Sequence, residues 1–238
     1  MISRSSAARA QCGAVILFAL LVALWYVTFH TGVGAHANVS IIGRVAALPA
    51  QAHLVSLASG LANLVTARLC AAVTAVLVIV CICRKMPVLA VAIVGIVAVA
   101  NETTELLKPL LSERIVFANF SFTPGFPSGH VTAVAALVLC TLLVVPRGWP
   151  RVVVAVVGAG LVAGIAGAVV ILGWHYPSDA LAGGLVSGGW WFVGIAVVRL
   201  ISPRLDPRGR AEAPLLAQRP ARLPERLVAA VRPAAEDE

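Results

Sequence analysis

Charge is what this chain has least of. Only 12% of its 238 residues are Asp, Glu, Lys or Arg, against 60% hydrophobic, and the mean hydropathy is +0.97. Ordinary soluble domains carry about 25% charged residues, so that class is excluded and a polytopic membrane protein is expected. Aromatic residues make up 6% and form no basic, aromatic-rich platform, so the formal charge of +8 is not a nucleic-acid signature. The basic residues are scattered between apolar runs and read instead as topology signal. None of the five cysteines (Cys12, Cys70, Cys81, Cys83, Cys140) has metal-ligand spacing. Cys81-x-Cys83 reads as membrane packing, and no disulfide framework is implied. There is no internal repeat. Residues 202–238, rich in proline and alternating charge, read as a flexible tail.

What remains is a series of apolar runs. Six spans are expected, at 13–29, 61–83, 86–108, 128–145, 152–172 and 177–200, after a short tail over 1–12. Ala35-His36-Ala37 resembles a signal-peptide cleavage site, but the first apolar run is long for a signal core and suits a retained helix. Residues 30–60, with His30, His36 and His53, read as an outer loop carrying some interfacial helix. Met86 to Lys108 climbs roughly 33 Å as a helix, enough to cross a ~30 Å hydrocarbon layer. Glu102, Glu105 and Lys108 recur at intervals of three and suit an ion-paired helix end. Gly160 with Gly164, and Gly184 with Gly188, suggest close packing between the fifth and sixth spans. An even number of spans puts both termini on one side. With that side cytoplasmic, Arg4, Arg9, Arg84, Lys85, Arg147, Arg151 and the tail arginines all lie inside, a strong positive-inside bias. Lys108, Arg114, His130 and His175 then fall on the outer face.

Two turns interrupt the apolar runs with chemistry. Phe126-Pro127-Ser128-Gly129-His130 places a hydroxyl, a glycine and an imidazole where a helix must start. Ser128 suits the N-cap, and the first free N–H groups form an anion site that Gly129 allows a ligand to approach closely. A capped helix start with a solvated histidine is the plain alternative. Gly173-Trp174-His175-Tyr176-Pro177-Ser178-Asp179 is the second turn. Pro177 suits the first helical position, leaving His175 just ahead of the helix and Asp179 inside its first turn. Asp179 can then hold one imidazole nitrogen and leave the other free to attack or to take a proton. It is the only aspartate before Asp206, in a region where a buried carboxylate is expensive.

Together these residues resemble the type 2 phosphatidic acid phosphatase superfamily. Its signatures are a lysine followed by an arginine-proline, Pro-Ser-Gly-His, and Ser-Arg followed after five residues by His-x-x-x-Asp. The second is complete here as Pro127-Ser128-Gly129-His130. The third keeps His175 and Asp179 but has Ala168 and Val169 at the Ser-Arg positions. The first is approximate, with Lys108 and Arg114 and with Ile115 in place of the proline. The resemblance implies hydrolysis of a lipid phosphate or polyprenyl diphosphate through a phosphohistidine. His175 would be the nucleophile, Asp179 its aligning group and His130 the acid. Lys108, Arg114, Ser128 and Gly129 would hold the phosphoryl oxygens, with no metal or cofactor required. The partners implied are the lipid substrate and membrane lipids. A lipid-phosphate binding, transport or scaffold protein of the same fold, impaired in turnover, is the alternative. Arg68, inside the second span, either replaces the missing third-signature arginine or pairs with Glu102 or Glu105.

Overall fold

A computed structural model describes residues 2–48, 51–112, 115–117, 120–122 and 125–205. Its elements are α1 (Ile2–His30), α2 (Gly32–Ala46), α3 (Gln51–Leu64), α4 (Ala67–Cys83), α5 (Pro87–Leu111), β1 (Ile115–Phe117), β2 (Phe120–Phe122), α6 (Gly129–Val144), α7 (Trp149–Ile171) and α8 (Pro177–Leu205). Helix α1 runs through most of the stretch expected as a tail, because nothing from Ser3 to Gln11 breaks a helix and Ala7 and Ala10 are buried.

The expected loop over 30–60 is largely helical. Thr31 caps α2 by accepting from the Gly34 N–H at 3.2 Å. The run expected as a continuous second span breaks at Val65-Thr66, where α3 and α4 meet at a 51° bend. Neither residue is a glycine or a proline. The break is stabilised by Thr66, whose hydroxyl caps α4 by accepting from the Leu69 N–H at 3.1 Å. Among the described residues four helices (α1, α5, α7 and α8) are long and apolar enough to cross a membrane, and the bent α3–α4 pair makes a fifth if it counts as one span. Helix α6 is apolar but only 16 residues long, about 24 Å, short of the ~30 Å layer. An all-helical plan also omits a two-stranded antiparallel hairpin, with Ile115 opposite Phe122 and Phe117 opposite Phe120. Its β-branched and aromatic residues favour that pairing. Arg114 and the tail beyond Leu205 lie outside the described residues.

The close helix pair is not the fifth and sixth spans. Helix α8 packs chiefly on α1, antiparallel to it. A Cβ on Gly188 would meet Leu17, one on Gly189 would meet Phe18, and one on Gly13 would meet Phe192. Gly160, Gly164 and Gly184 face open space, so the four-residue spacing marks no α7–α8 contact. Instead, Gly158 of α7 receives Val138 of α6.

The core is α6, held between α5, α7 and α8. Ala136 and Cys140 are fully buried, in clusters with Ile93, Ala100, Ala182 and Val186. Two arginines close its C-terminal end, where carbonyls lack partners. Arg84 donates to the Val144 carbonyl at 2.6 Å, and Arg151 donates to that of Leu142. Cations there also favour the helix dipole. The other end of α6, carrying Gly129 and His130, therefore lies at the opposite pole from this basic cluster. The antiparallel α1 and α8 put Ile2 and Leu205 at the basic pole.

Candidate active site

The turn before α6 is anchored on the end of α5. Ser112 Oγ accepts from the Phe126 N–H at 3.1 Å, and the fully buried Phe126 ring meets Phe29 with centroids 5.6 Å apart. Ser128 is the N-cap residue of α6 by position, but its hydroxyl makes no capping hydrogen bond. That hydroxyl is fully buried and has no partner among the described residues. A buried hydroxyl without a partner costs about 1–3 kcal/mol, so its burial calls for an acceptor or donor brought from outside.

The second turn forms as its local chemistry dictates. Helix α8 starts at Pro177, and Asp179 lies in its first turn. Asp179 is fully buried, and its Oδ2 takes both the His175 Nδ1 at 3.3 Å and the Tyr176 N–H at 3.0 Å. Its Oδ1 is 3.4 Å from Ser178 Oγ. A buried carboxylate is tolerable only when bonded in this way. With Nδ1 held, His175 has Nε2 as the nitrogen without a hydrogen-bond partner among the described residues. His175 is 9% exposed, and its Cε1 would lie 3.1 Å from a Cβ on Gly125, so a side chain at 125 would crowd the ring. Burial and the neighbouring Asp179 carboxylate push the Tyr176 phenol up.

The two turns are joined directly. The Ser128 N–H donates to the Asp179 carbonyl at 2.9 Å. Gly183, one turn beyond Asp179, lets α8 lie flat on the start of α6, since a Cβ there would be 2.7 Å from the Ser128 carbonyl oxygen. Behind this contact a polar seam ties three helices together. Thr104 and Thr132 hydroxyls are 3.1 Å apart, and Ser187 Oγ donates to the Thr132 carbonyl at 2.8 Å. Such bonds between membrane helices contribute about 0.6 kcal/mol each on average, enough to fix register.

Lys108 comes to the same place from α5. A Cβ on Gly129 would lie 3.4 Å from both Lys108 Nζ and Glu105 Oε1, which are paired with each other. His130 lies within electrostatic reach of both His175 and Lys108, and its ring stacks obliquely on Trp174 at 5.6 Å. The structure thus brings together Lys108, Ser128, Gly129, His130, His175 and Asp179. Arg68 is exposed at the start of α4, and Glu105 pairs with Lys108.

A groove of about 800 Å³ opens from the cluster between α4, α5 and α6. Lys108, His130, Glu105 and Glu102 line one end, and Val94 and Val78 the other. From Lys108 to Val94 along α5 is about 21 Å. The groove thus has a charged end and an apolar end. One contact that sequence reading misses is Asn38 of α2, buried and bonded to the Ser178 N–H at 3.2 Å. It lies 140 positions from its partner, in a segment with no motif.

Residues 88–202 match the model of the PAP2 superfamily. Over 90 residues the chain is 38% identical to a lipid A 1-phosphatase of Rhizobium etli; the match covers 34% of this chain and 36% of that relative's length. The fold is similar to the crystal structure of a transmembrane PAP2 type phosphatidylglycerolphosphate phosphatase from Bacillus subtilis. The TM-score is 0.64 at 18% identity, covering 82% of this chain and 98% of that one.

Proposed function

We propose that this chain, a PAP2 superfamily protein over residues 88–202, is a membrane phosphatase that hydrolyses a lipid phosphate or polyprenyl diphosphate through a phosphohistidine. The observation that carries this reading is the junction of the two turns, which sets the His175–Asp179 pair beside Lys108, Gly129 and the Ser128 hydroxyl, which has no partner among the described residues. In the first step, His175 Nε2 attacks phosphorus as the bond to the leaving oxygen breaks. Asp179 stabilises the imidazolium that forms, and His130 gives its proton to the leaving oxygen. In the second, water attacks the phosphohistidine while His130 takes its proton, and His175 and inorganic phosphate are released. Lys108, Arg114, the Ser128 hydroxyl and the Gly129 N–H meet the charge spread over the phosphoryl oxygens. The named lipid phosphatases among the relatives and the apolar groove leading from Lys108 favour a lipid substrate. The basic pole, with Arg84, Lys85, Arg147 and Arg151, is assigned to the cytoplasm, which puts the site at the outer face of the cell membrane.

A second reading, a binding, transport or scaffold protein impaired in turnover, is favoured by one observation. Ala168 and Val169, where the family has Ser-Arg, are buried and apolar. Phosphate release from a panel of lipid phosphates by purified protein, with EDTA present and with His175→Ala in parallel, separates the two. Release that needs His175 and survives EDTA is the expected result. Equal activity in the variant and the parent defeats the mechanism, and binding without release in the parent favours the second reading.

A further inference from the structure

We propose that Asn38 is a positioning residue for the reacting histidine: delivered by α2, it fixes the first turn of α8 and with it the carboxylate that aligns His175. The inference rests on the reading of His175 as nucleophile.

Helix α2 is held at a set angle to α1. Thr31 Oγ1 donates to the Val27 carbonyl at 2.6 Å, and Gly34 presses on the end of α1, where a Cβ would be 2.1 Å from the Val27 carbonyl oxygen. Any larger residue at position 34 would force the elbow open. One helical turn on, Asn38 is 5% exposed and donates from Nδ2 to the Gly34 carbonyl at 3.2 Å. This turns Oδ1 toward α8, where it accepts from the Ser178 N–H at 3.2 Å. The amide orientation follows from chemistry, since one partner is a carbonyl that can only accept and the other an N–H that can only donate.

The Ser178 N–H is one of the first in α8, which have no acceptor inside the helix. Asn38 therefore acts as an N-terminal cap supplied by a different helix, where a local cap residue would normally serve. The residue it holds is flanked by the parts of the reacting pair. On one side Tyr176 donates its N–H to Asp179 Oδ2, and on the other Asp179 Oδ2 meets His175 Nδ1. Without Asn38, the buried Ser178 N–H is left with the Asp179 carboxylate as the strong acceptor carried by its own turn. A bond to that carboxylate would draw it off the imidazole. Among the described residues Asn38 bonds to Gly34 and Ser178 and does not line the groove, so its effect falls on the alignment of His175 rather than on substrate binding.

The test uses the full chain, purified, with the lipid phosphate on which the parent is active. Asn38→Ala is expected to lower kcat about 10–100-fold, the scale of a displacement on the order of 1 Å at the reacting atoms, with KM within about twofold. Asn38→Asp keeps the oxygen acceptor for the Ser178 N–H and, as the neutral acid that burial favours, keeps a donor for the Gly34 carbonyl, so kcat is expected to stay within about threefold of the parent. His175→Ala is run in parallel. A parent no faster than His175→Ala refutes the nucleophile assignment, and the positioning role falls with it. Where parental activity depends on His175, three results overturn the positioning role alone: parental kcat in Asn38→Ala, kcat and KM worsening together, or Asn38→Asp as slow as Asn38→Ala. If Asn38→Ala does not yield folded protein, Asn38→Asp decides: near-parental kcat supports the cap, and its loss overturns it.

Discussion

Replacing Gly183 with alanine tests whether the junction of the two turns governs turnover. The added Cβ would come within 2.7 Å of the Ser128 carbonyl oxygen, 3.0 Å of Thr132 Oγ1 and 3.1 Å of the Thr132 backbone nitrogen. Two of these are backbone atoms in the first turn of α6 and cannot rotate away. Ordinary contact begins at 3.4 Å, so α8 must withdraw by about 0.7 Å. A withdrawal of that size would stretch the 2.9 Å bond from the Ser128 N–H to the Asp179 carbonyl beyond hydrogen-bonding range. It would also carry His175 and Asp179 away from Ser128 and Gly129. A misplacement on the order of 1 Å costs about 100-fold in rate, so a loss of about 10–100-fold is expected. Overpacking of this kind destabilises by about 1–3 kcal/mol, lowering Tm by a few degrees or more in a chain of this size. Gly184→Ala is the matched control, because a Cβ there meets nothing within 4 Å. It should keep the parental rate and gain up to about 1 kcal/mol from improved helix propensity. The assays are phosphate release and thermal unfolding. Parental rate and Tm in Gly183→Ala, or equal damage in Gly184→Ala, would refute the reasoning.

Asp179→Asn keeps the shape of the carboxylate but not its charge, so turnover is expected to fall by about 10²–10⁴ with the fold intact; a near-parental rate would leave Asp179 as a helix-start residue only. His130→Ala should hurt most with poor leaving groups and least with p-nitrophenyl phosphate, and an equal loss with both would remove the acid role. Ser128→Ala deletes a buried hydroxyl without a partner among the described residues, so kcat/KM should drop about 10–100-fold while the Tm of the ligand-free protein holds or rises. A fall in Tm would make that hydroxyl a structural one.

The parts of the site that can be read from the sequence are those fixed locally. A proline at N1 and a four-residue interval set the His175–Asp179 geometry within one turn, and Pro-Ser-Gly-His names a helix start wherever the helix is placed. What could not be read depends on how helices are rotated against one another. Small residues four apart draw attention to Gly184 and Gly188, whereas the tight contact with α6 falls on Gly183, and Gly188 faces Leu17 of α1. Spacing marks a small-residue stripe; the neighbour that uses it is chosen by packing elsewhere. Asn38 is hidden for the same reason. Nothing within several residues of it indicates a role, and its acceptor becomes useful only when α2 folds back across the second turn. The bend at Val65-Thr66 lacks the glycine or proline that would announce it and follows from a side-chain cap.

The departure at positions 168 and 169 removes charge from the site but leaves its geometry. Val169 offers its carbonyl to the N–H groups of Trp174 at 3.0 Å and His175 at 3.3 Å, so the main chain at this position shapes the second turn whatever side chain it carries. Its side chain packs with Val131, Val134, Ile165 and Ala180, an apolar cluster directly beneath the two turns. That packing holds the start of α6 against α8 and supports the junction from below. A buried carboxylate in this layer is costly. Asp179 is nevertheless fully buried and bonded to the imidazole, to the Tyr176 N–H and to the Ser178 hydroxyl. On the proposed reading this is the arrangement that nucleophilic attack requires, and an arginine at position 169 would be one of several groups able to meet phosphoryl charge. Hydrolysis as proposed would then run with a more neutral set of donors, in which Lys108, the Ser128 hydroxyl and the N–H groups at the start of α6 would carry a larger share of the charge.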